Sequence, residues 1–364
     1  MQTLISGDVR PRTGDLVLAS VHKIGKQRKI EKPNGRRALM VPGDEIIVCY
    51  GNRYAPDQFE ALAPADLGLC DLVAAGGIAG TELCRHDRMI RPTQIAPLGL
   101  IGDVDGRRLN LSRYALNRSD RNFPITVILV AGTAMNSGKT YSAASLVRGL
   151  KANGFRVAGI KSTGTGAGGD LWQMKDMGAD LVLDFTDAGF ASTYRIPADD
   201  IENGVLNLIN HAGSFRCEVA VVEIADGLQH QETAALLCSE RLRQCSAGLL
   251  FAAYDSMGAV AGVEALLVRG HNVIAVSGQL TRSPLAMREA GTALSCPVYT
   301  PQELQAGALV QAIIAICNRE AKASTELAQA ANPPSLLALA HPKRNIPLPM
   351  TAANDACTRT GTRV

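Results

Sequence analysis

One short stretch carries residue types and spacing suited to phosphate chemistry: Gly132-Thr133-Ala134-Met135-Asn136-Ser137-Gly138-Lys139-Thr140. A glycine-containing turn ending in Gly-Lys-Thr at the start of a helix is a cradle for an anion. Backbone N–H groups face it, the helix dipole favours negative charge, and the lysine reaches the β- and γ-phosphates. On that reading Gly132, Thr133, Asn136, Ser137, Gly138, Lys139 and Thr140 bind a nucleotide, with the Thr140 hydroxyl placed to ligate Mg²⁺. Five residues separate Gly132 from Gly138, one more than in the usual G-x-x-x-x-G-K-[ST].

Three later stretches supply further candidates. Lys161-Ser162-Thr163-Gly164-Thr165-Gly166-Ala167-Gly168-Gly169-Asp170 puts a lysine ahead of hydroxyls and glycines. Small residues let backbone approach an anionic group closely. Glu223-Ile224-Ala225-Asp226-Gly227 follows an apolar run, and an acidic strand end is the expected Mg²⁺ partner in a phosphate-loop protein. The acids and hydroxyls of Asp184-Phe185-Thr186-Asp187-Ala188-Gly189-Phe190-Ala191-Ser192-Thr193 read equally as a substrate loop or as a turn.

These residues need a scaffold that brings distant loops together, and the sequence supplies one. Ile125 to Val130 is an unbroken run of β-branched and apolar residues, as in a strand buried on both faces. The helical pattern Tyr141 to Gly154 follows the glycine turn. Further strands are expected over Arg156–Ile160, Glu218–Ile224, Gly248–Ala253 and Asn272–Ser277, with helical segments between most of them. Alternating strands and helices imply a largely parallel sheet flanked by helices, with ligands beyond the carboxyl ends of the strands. The chemistry should therefore gather in loops that follow strands.

Residues 1–117 are patterned differently. Short β-type runs at Asp15–Val21 and Glu45–Tyr50 alternate with turn signals at Pro33-Asn34-Gly35 and Pro42-Gly43-Asp44, and Asp105-Gly106 reads as a hairpin turn. The expectation is a small antiparallel, barrel-like β domain with a short helical insertion near Leu67–Gly77. The run Ala74–Gly80 reads as a tight turn, and the basic cluster His22–Lys29, without interleaved aromatics, as a solvated hairpin. Residues 118–124 form a polar linker, 125–322 the phosphate-loop domain, and 323–364 an extended or disordered tail.

Composition narrows the function classes. A net charge of +3 on 364 residues argues for neither a nucleic-acid nor an anionic-membrane partner. No apolar run approaches membrane-spanning length, and the first residues lack the apolar core of a signal peptide. Nine scattered cysteines without a CxxC pair, and six dispersed histidines, suggest a reducing cytoplasm and no structural metal.

Read in order, GTAMNSGKT, VAGIKSTGTG and VVEIADG resemble the phosphate loop, lysine loop and acidic strand end of dethiobiotin synthetase-like P-loop enzymes. The longer glycine spacing and the 21 positions from Thr140 to Lys161 fit that family, over roughly Ile125 to Cys317. The resemblance implies a P-loop NTPase-type fold and an ATP- and Mg²⁺-dependent ligase or kinase that phosphorylates a small carboxylic acid, in a homodimer. Carried over, Lys139 binds the ATP phosphates, Thr140, Asp170 and Glu223 hold Mg²⁺, and Lys161 steadies the transferred phosphoryl group. Ile224-Ala225-Asp226 replaces that family's glycines, and the N-terminal domain has no counterpart there, so dethiobiotin synthesis itself is not implied. A second likeness, through Thr163-Gly164 and Asp184-Phe185, is to the P-loop family containing N-acetyl-D-glutamate synthases, which use acetyl-CoA. The alternatives are therefore an acyl-CoA-dependent N-acyltransferase and a nucleotide-dependent accessory protein.

Overall fold

The hydrophobic patterning resolves into two large sheets and one small hairpin in the computed structural model, which describes residues 3–119 and 121–318. The tail expected over 323–364, and positions 319–322, lie outside the described residues.

The first sheet is built from β1 (Thr3–Ile5), β2 (Leu16–Lys23), β5 (Glu45–Tyr50), β6 (Arg53–Tyr54), β7 (Phe59–Leu62), β8 (Cys70–Ala74), β9 (Ile78–Arg85) and β10 (Thr93–Gly102). β3 (Lys29–Glu31) and β4 (Arg37–Leu39) form a separate hairpin. Pairing runs β10–β2–β5–β9–β8 and back to β10, closing a five-stranded ring that is antiparallel except at β5–β9. Closure removes the free edges that a small open sheet would expose. Ile46, Val48 and Tyr50 of β5 point inward and alternate with outward neighbours, and Val17, Val21, Leu72, Ile95 and Leu100 complete the interior.

Two expectations for this domain are corrected. The segment near Leu67–Gly77 is not a helical insertion: β8 occupies it, because strands β9 and β10 on either side pair with its backbone and bury Leu72 and Val73. The tight turn at Gly76-Gly77 then leads into β9. The basic cluster His22–Lys29 runs from the end of β2 through its connection to the first residue of β3 and is not a hairpin of its own, with His22, Lys23, Lys26, Arg28 and Lys29 exposed.

The second sheet contains β11 (Thr126–Gly132), β12 (Val157–Lys161), β13 (Leu181–Asp184), β14 (Val219–Glu223), β15 (Ser246–Ala252) and β16 (Val273–Ser277). All pairs are parallel, in the order β13-β12-β14-β11-β15-β16. Helices α1 (Lys139–Ala152), α2 (Gly169–Asp176), α3 (Ala198–Ser214), α4 (Gln231–Cys238), α5 (Glu240–Cys245), α6 (Ser256–Val268), α7 (Pro284–Ala293) and α8 (Pro301–Gln305) make the connections. α3 to α7 pack on one face and α1, α2 and α8 on the other, so every residue of β11 is buried. That double cover explains the unbroken apolar run of β11. β13 was not foreseen; four residues beside an acidic turn give too short a pattern to register.

The barrel lies against the carboxyl ends of the parallel strands. Asn52 Nδ2 donates to the Tyr194 carbonyl (3.2 Å), Tyr194 OH donates to Glu60 (2.8 Å), and Trp172 Nε1 donates to Glu31 (3.1 Å). The β3–β4 turn holds Gly35 at φ +78°, where an added Cβ would stand 2.6 Å from the Trp172 indole nitrogen. Gly35→Ala therefore meets both left-handed strain and a clash, and should cost about 1–3 kcal/mol. Trp172 is the chain's one tryptophan. Its emission should shift to the red as the hairpin lifts, and an unchanged spectrum and melting temperature would refute this docking.

Candidate functional site

The parallel register places the chemistry. Lys161, the last residue of β12, stands opposite Glu223, the last residue of β14, and Val130 of β11 stands on Glu223's other side. The loop after β11 then turns over these strand ends into α1. Gly132 is required there by space: a Cβ would lie 2.4 Å from Ser137 Oγ and 2.6 Å from the Ala252 carbonyl oxygen. Asn136 (φ +64°) and Gly138 (φ +96°) adopt left-handed backbone, as in the alternating conformations that form anion-binding concavities. Asn136 is fixed from the barrel, its Nδ2 donating to Asp57 Oδ2 at 2.8 Å.

Lys139 is 6% exposed, and among the described residues no carboxylate lies within ion-pair distance of it. Its Nζ donates to the Ala134 carbonyl of its own loop at 2.7 Å. Burial brings its pKa down to about 8, with Glu223 partly opposing the shift. The hydroxyls of Thr133 and Ser137 are also buried without a partner.

Glu223 is buried and accepts on Oε1 from Thr140 Oγ1 (2.9 Å) and from Lys161 Nζ (2.9 Å), while its Oε2 has no partner. Lys161 also bonds Asp170, at the start of α2. Burial pulls the Lys161 pKa down, yet the two carboxylates more than offset this, and it is raised. Burial likewise pushes Asp170 up, but the Lys161 ammonium holds it lowered. Thr140, Asp170 and Glu223 offer hard oxygen donors of the kind Mg²⁺ takes, and the unpartnered Oε2 is a buried anionic oxygen suited to a cation. The Lys161 ammonium stands between those carboxylates and supplies positive charge there.

These groups line a cleft of about 470 Å³ between the loop, α2 and the barrel. Asn136, Gly138, Lys139, Thr140, Lys161, Asp170 and Glu223 line it; Gly132, Thr133 and Ser137 are outside its lining. The segment Asp184–Thr193 does not line it either. Asp184 accepts from Thr186, and Thr193 Oγ1 accepts from the Gly164 amide (2.9 Å), so these residues make a turn that braces the lysine loop.

Several residues of the site carried no sequence signal. Arg53 and Tyr54 of β6 and Arg37 of β4 enter from the barrel. Gln279 follows β16, and its amide donates to the Ser137 carbonyl (2.9 Å); the strand-end rule could have found it. Asp226 sits at φ +63°, uncommon for a non-glycine residue. Burial raises its pKa; His230 lies 3.9 Å away, with Glu232 3.3 Å from the other ring nitrogen and the Tyr54 ring 4.3 Å from the imidazole. Among the described residues, no group of three or more His, Cys, Asp or Glu side chains could hold a metal on its own.

A glycine loop between a central parallel strand and a helix, over a sheet covered by helices, is a P-loop NTPase fold. No protein-family model and no curated protein matches the chain. Among solved structures it is similar to the signal recognition particle receptor FtsY from Elizabethkingia anophelis in complex with GDP, at 18% identity and TM-score 0.30, covering 46% of this chain and 52% of that one. It is also similar to cell division protein FtsY from Thermotoga maritima, at 17% identity and TM-score 0.31, covering 56% and 64%. In both matches less than two thirds of the FtsY chain is spanned. At these values the likeness bears on neither site nor substrate. No described helix is long and apolar enough to cross a membrane.

Lys139 gives a pH test with a defined sign. Its unfolded pKa is near 10.5 and its folded value about 8, so between these the unfolded state holds more protons. The Lys139 contribution to stability should rise with pH across that window, and its full penalty, on the order of 3 kcal/mol, applies below it. Lys139→Met also loses the Ala134 hydrogen bond, so it should be more stable than wild type by about 1–2 kcal/mol at pH 7. The stability advantage of the variant over wild type should shrink between pH 8 and 10.5 as the wild-type penalty is relieved. Urea unfolding at pH 7 and 10 measures both, and a less stable variant at pH 7 would overturn the assignment.

Proposed function

We propose that the protein is an MgATP-dependent enzyme that phosphorylates a small carboxylic acid and so activates it for ligation or transfer. The observation that carries this reading is a pair of unlike lysines in one cleft. Lys139 is buried on the phosphate loop with no ion-paired carboxylate among the described residues, and nucleotide phosphates would supply an anion. Lys161 is held by Glu223 and Asp170 at the neighbouring strand end, where it can steady a phosphoryl group in transfer together with its acceptor.

The acid's carboxylate oxygen attacks the γ-phosphorus as the bond to the β–γ bridging oxygen breaks. ADP leaves, and the acyl phosphate then loses phosphate to a nucleophile. Thr140, Glu223 and Asp170 would hold Mg²⁺, which when bound neutralises charge on the β- and γ-oxygens. A recess of about 330 Å³ beyond Gly138, lined by Tyr141, Gln279, Thr281, Arg282 and Gln302, suits the nucleotide base. The strand-end loops carry no [NT]-K-x-D guanine motif, which favours ATP over GTP. The homodimer implied by the resemblance belongs to the same proposal, and light scattering at micromolar concentration tests it.

Thermal shift with ATP, GTP and acetyl-CoA, each with and without Mg²⁺, separates this reading from the acyltransferase. Lys139→Ala should abolish the nucleotide shift in a folded protein. Lys161→Ala, Asp170→Ala and Glu223→Ala should each cut acid-dependent phosphate release by about 10²–10³. Wild-type turnover in both carboxylate variants would remove the proposed Mg²⁺ site.

A further inference from the structure

Arg53 is a buried cation with no carboxylate within ion-pair distance among the described residues, although Asp57 and Asp226 act on it from further away. It lies on β6 and is 8% exposed. Its guanidinium donates to the Val73 carbonyl and to Gln58 Oε1 (2.8 Å), both neutral, and its Nε has no partner. Its charge sits over the Phe59 ring, 5.9 Å from the centroid. No carboxylate among the described residues comes within ion-pair distance of it. The acids nearest in effect are Asp57, whose Oδ2 accepts from Asn136 while its buried Oδ1 has no hydrogen-bond partner, and Asp226, which faces His230. A buried guanidinium in such surroundings is costly to keep, and burial pulls its pKa down to about 10. A planar fork of five N–H donors, only two of which have partners in the protein, suits a carboxylate.

Its position says which carboxylate. Arg53 lines the same cleft as Lys139 and Lys161, but from the barrel wall, where Val73 and Gln58 hold it. The nucleotide phosphates and the reacting carboxylate belong to the loop and the two lysines. Beside Arg53, the Tyr54 ring packed on His230 gives an aromatic wall for a carbon skeleton. We propose that the acid substrate carries a second carboxylate and that Arg53 receives it, so that the barrel forms the substrate half of the site. Calling this ligand the substrate rests on the acid-activating reading above.

The test is a thermal-shift series on the full chain with succinate, glutarate, butyrate and acetate, with and without saturating MgADP. ADP leaves the γ-phosphate position open. Succinate or glutarate at about 10 mM should raise the melting temperature by roughly 2–4 °C over MgADP alone, and the monocarboxylates should not. Arg53→Gln should lose the dicarboxylate shift and keep the MgADP shift. Arg53→Lys keeps the charge without the fork, so it should retain the dicarboxylate preference with about tenfold weaker affinity; it also serves if Arg53→Gln does not fold. Loss of the MgADP shift in folded Arg53→Gln would make Arg53 a nucleotide ligand and overturn the proposal. So would equal shifts from mono- and dicarboxylates, no shift from any acid, or a dicarboxylate shift that survives Arg53→Gln. A dicarboxylate shift through Arg53 without any MgADP shift would instead remove the nucleotide reading and leave the anion site standing.

Discussion

The site is organised around one buried carboxylate. Glu223 ends the central part of a parallel sheet and is 1% exposed, in a position where an isolated charge is prohibitively unfavourable. The fold compensates it with the Lys161 ammonium from the neighbouring strand and the Thr140 hydroxyl from the first turn of α1. Its backbone carbonyl is used as well, accepting from both the amide (2.9 Å) and the hydroxyl (2.8 Å) of Ser162. One residue therefore ties together the strand it ends, the lysine loop and the phosphate-loop helix. The three cannot move independently without exposing or orphaning a charge.

That constraint fixes the strand ends but leaves the loop above them to be held from elsewhere. Asn136, in left-handed backbone, is bonded by Asp57 from the β6–β7 turn of the barrel. The glycine loop 164–168 is packed just as closely: a Cβ on Gly76 of the barrel would lie 2.1 Å from the Gly166 carbonyl oxygen. Both walls of the cleft thus carry backbone set by contacts across the boundary between the two sheets. A phosphate loop positioned this way has less freedom to lose when an anion binds, which favours affinity.

What was legible in the sequence follows from how local each signal is. β11, the glycine loop and the start of α1 are contiguous, and their mechanism needs that contiguity, so the pattern alone placed Lys139 and Thr140. Lys161 and Glu223 were legible because strand ends in a parallel sheet converge, although nothing in the sequence showed that register sets them opposite one another. β8 was misread because its conformation is imposed by β9 and β10, and β13 because an edge strand of four residues has almost no period to detect. Arg53 and Tyr54 were invisible for a different reason. An Arg-Tyr pair in a short strand is ordinary surface composition until the barrel turns it toward the loop.

The charges left uncompensated form a pattern of their own. The carboxylates and Lys161 satisfy one another, whereas Lys139 and Arg53 are buried cations with only neutral partners, and Glu223 Oε2 is an anionic oxygen without any. A chain selected for stability alone would replace such groups with apolar side chains of similar volume, usually at no cost. Two buried cations with only neutral hydrogen-bond partners, with an unpartnered Glu223 oxygen in the same cleft, are the complement expected of the ligand proposed above: anionic at two separated places, with a cation beside Glu223. Binding would then release part of the desolvation penalty that folding leaves in place. The ligand-free molecule is held less stable than its packing allows, and that deficit becomes available as differential affinity for the correct ligands.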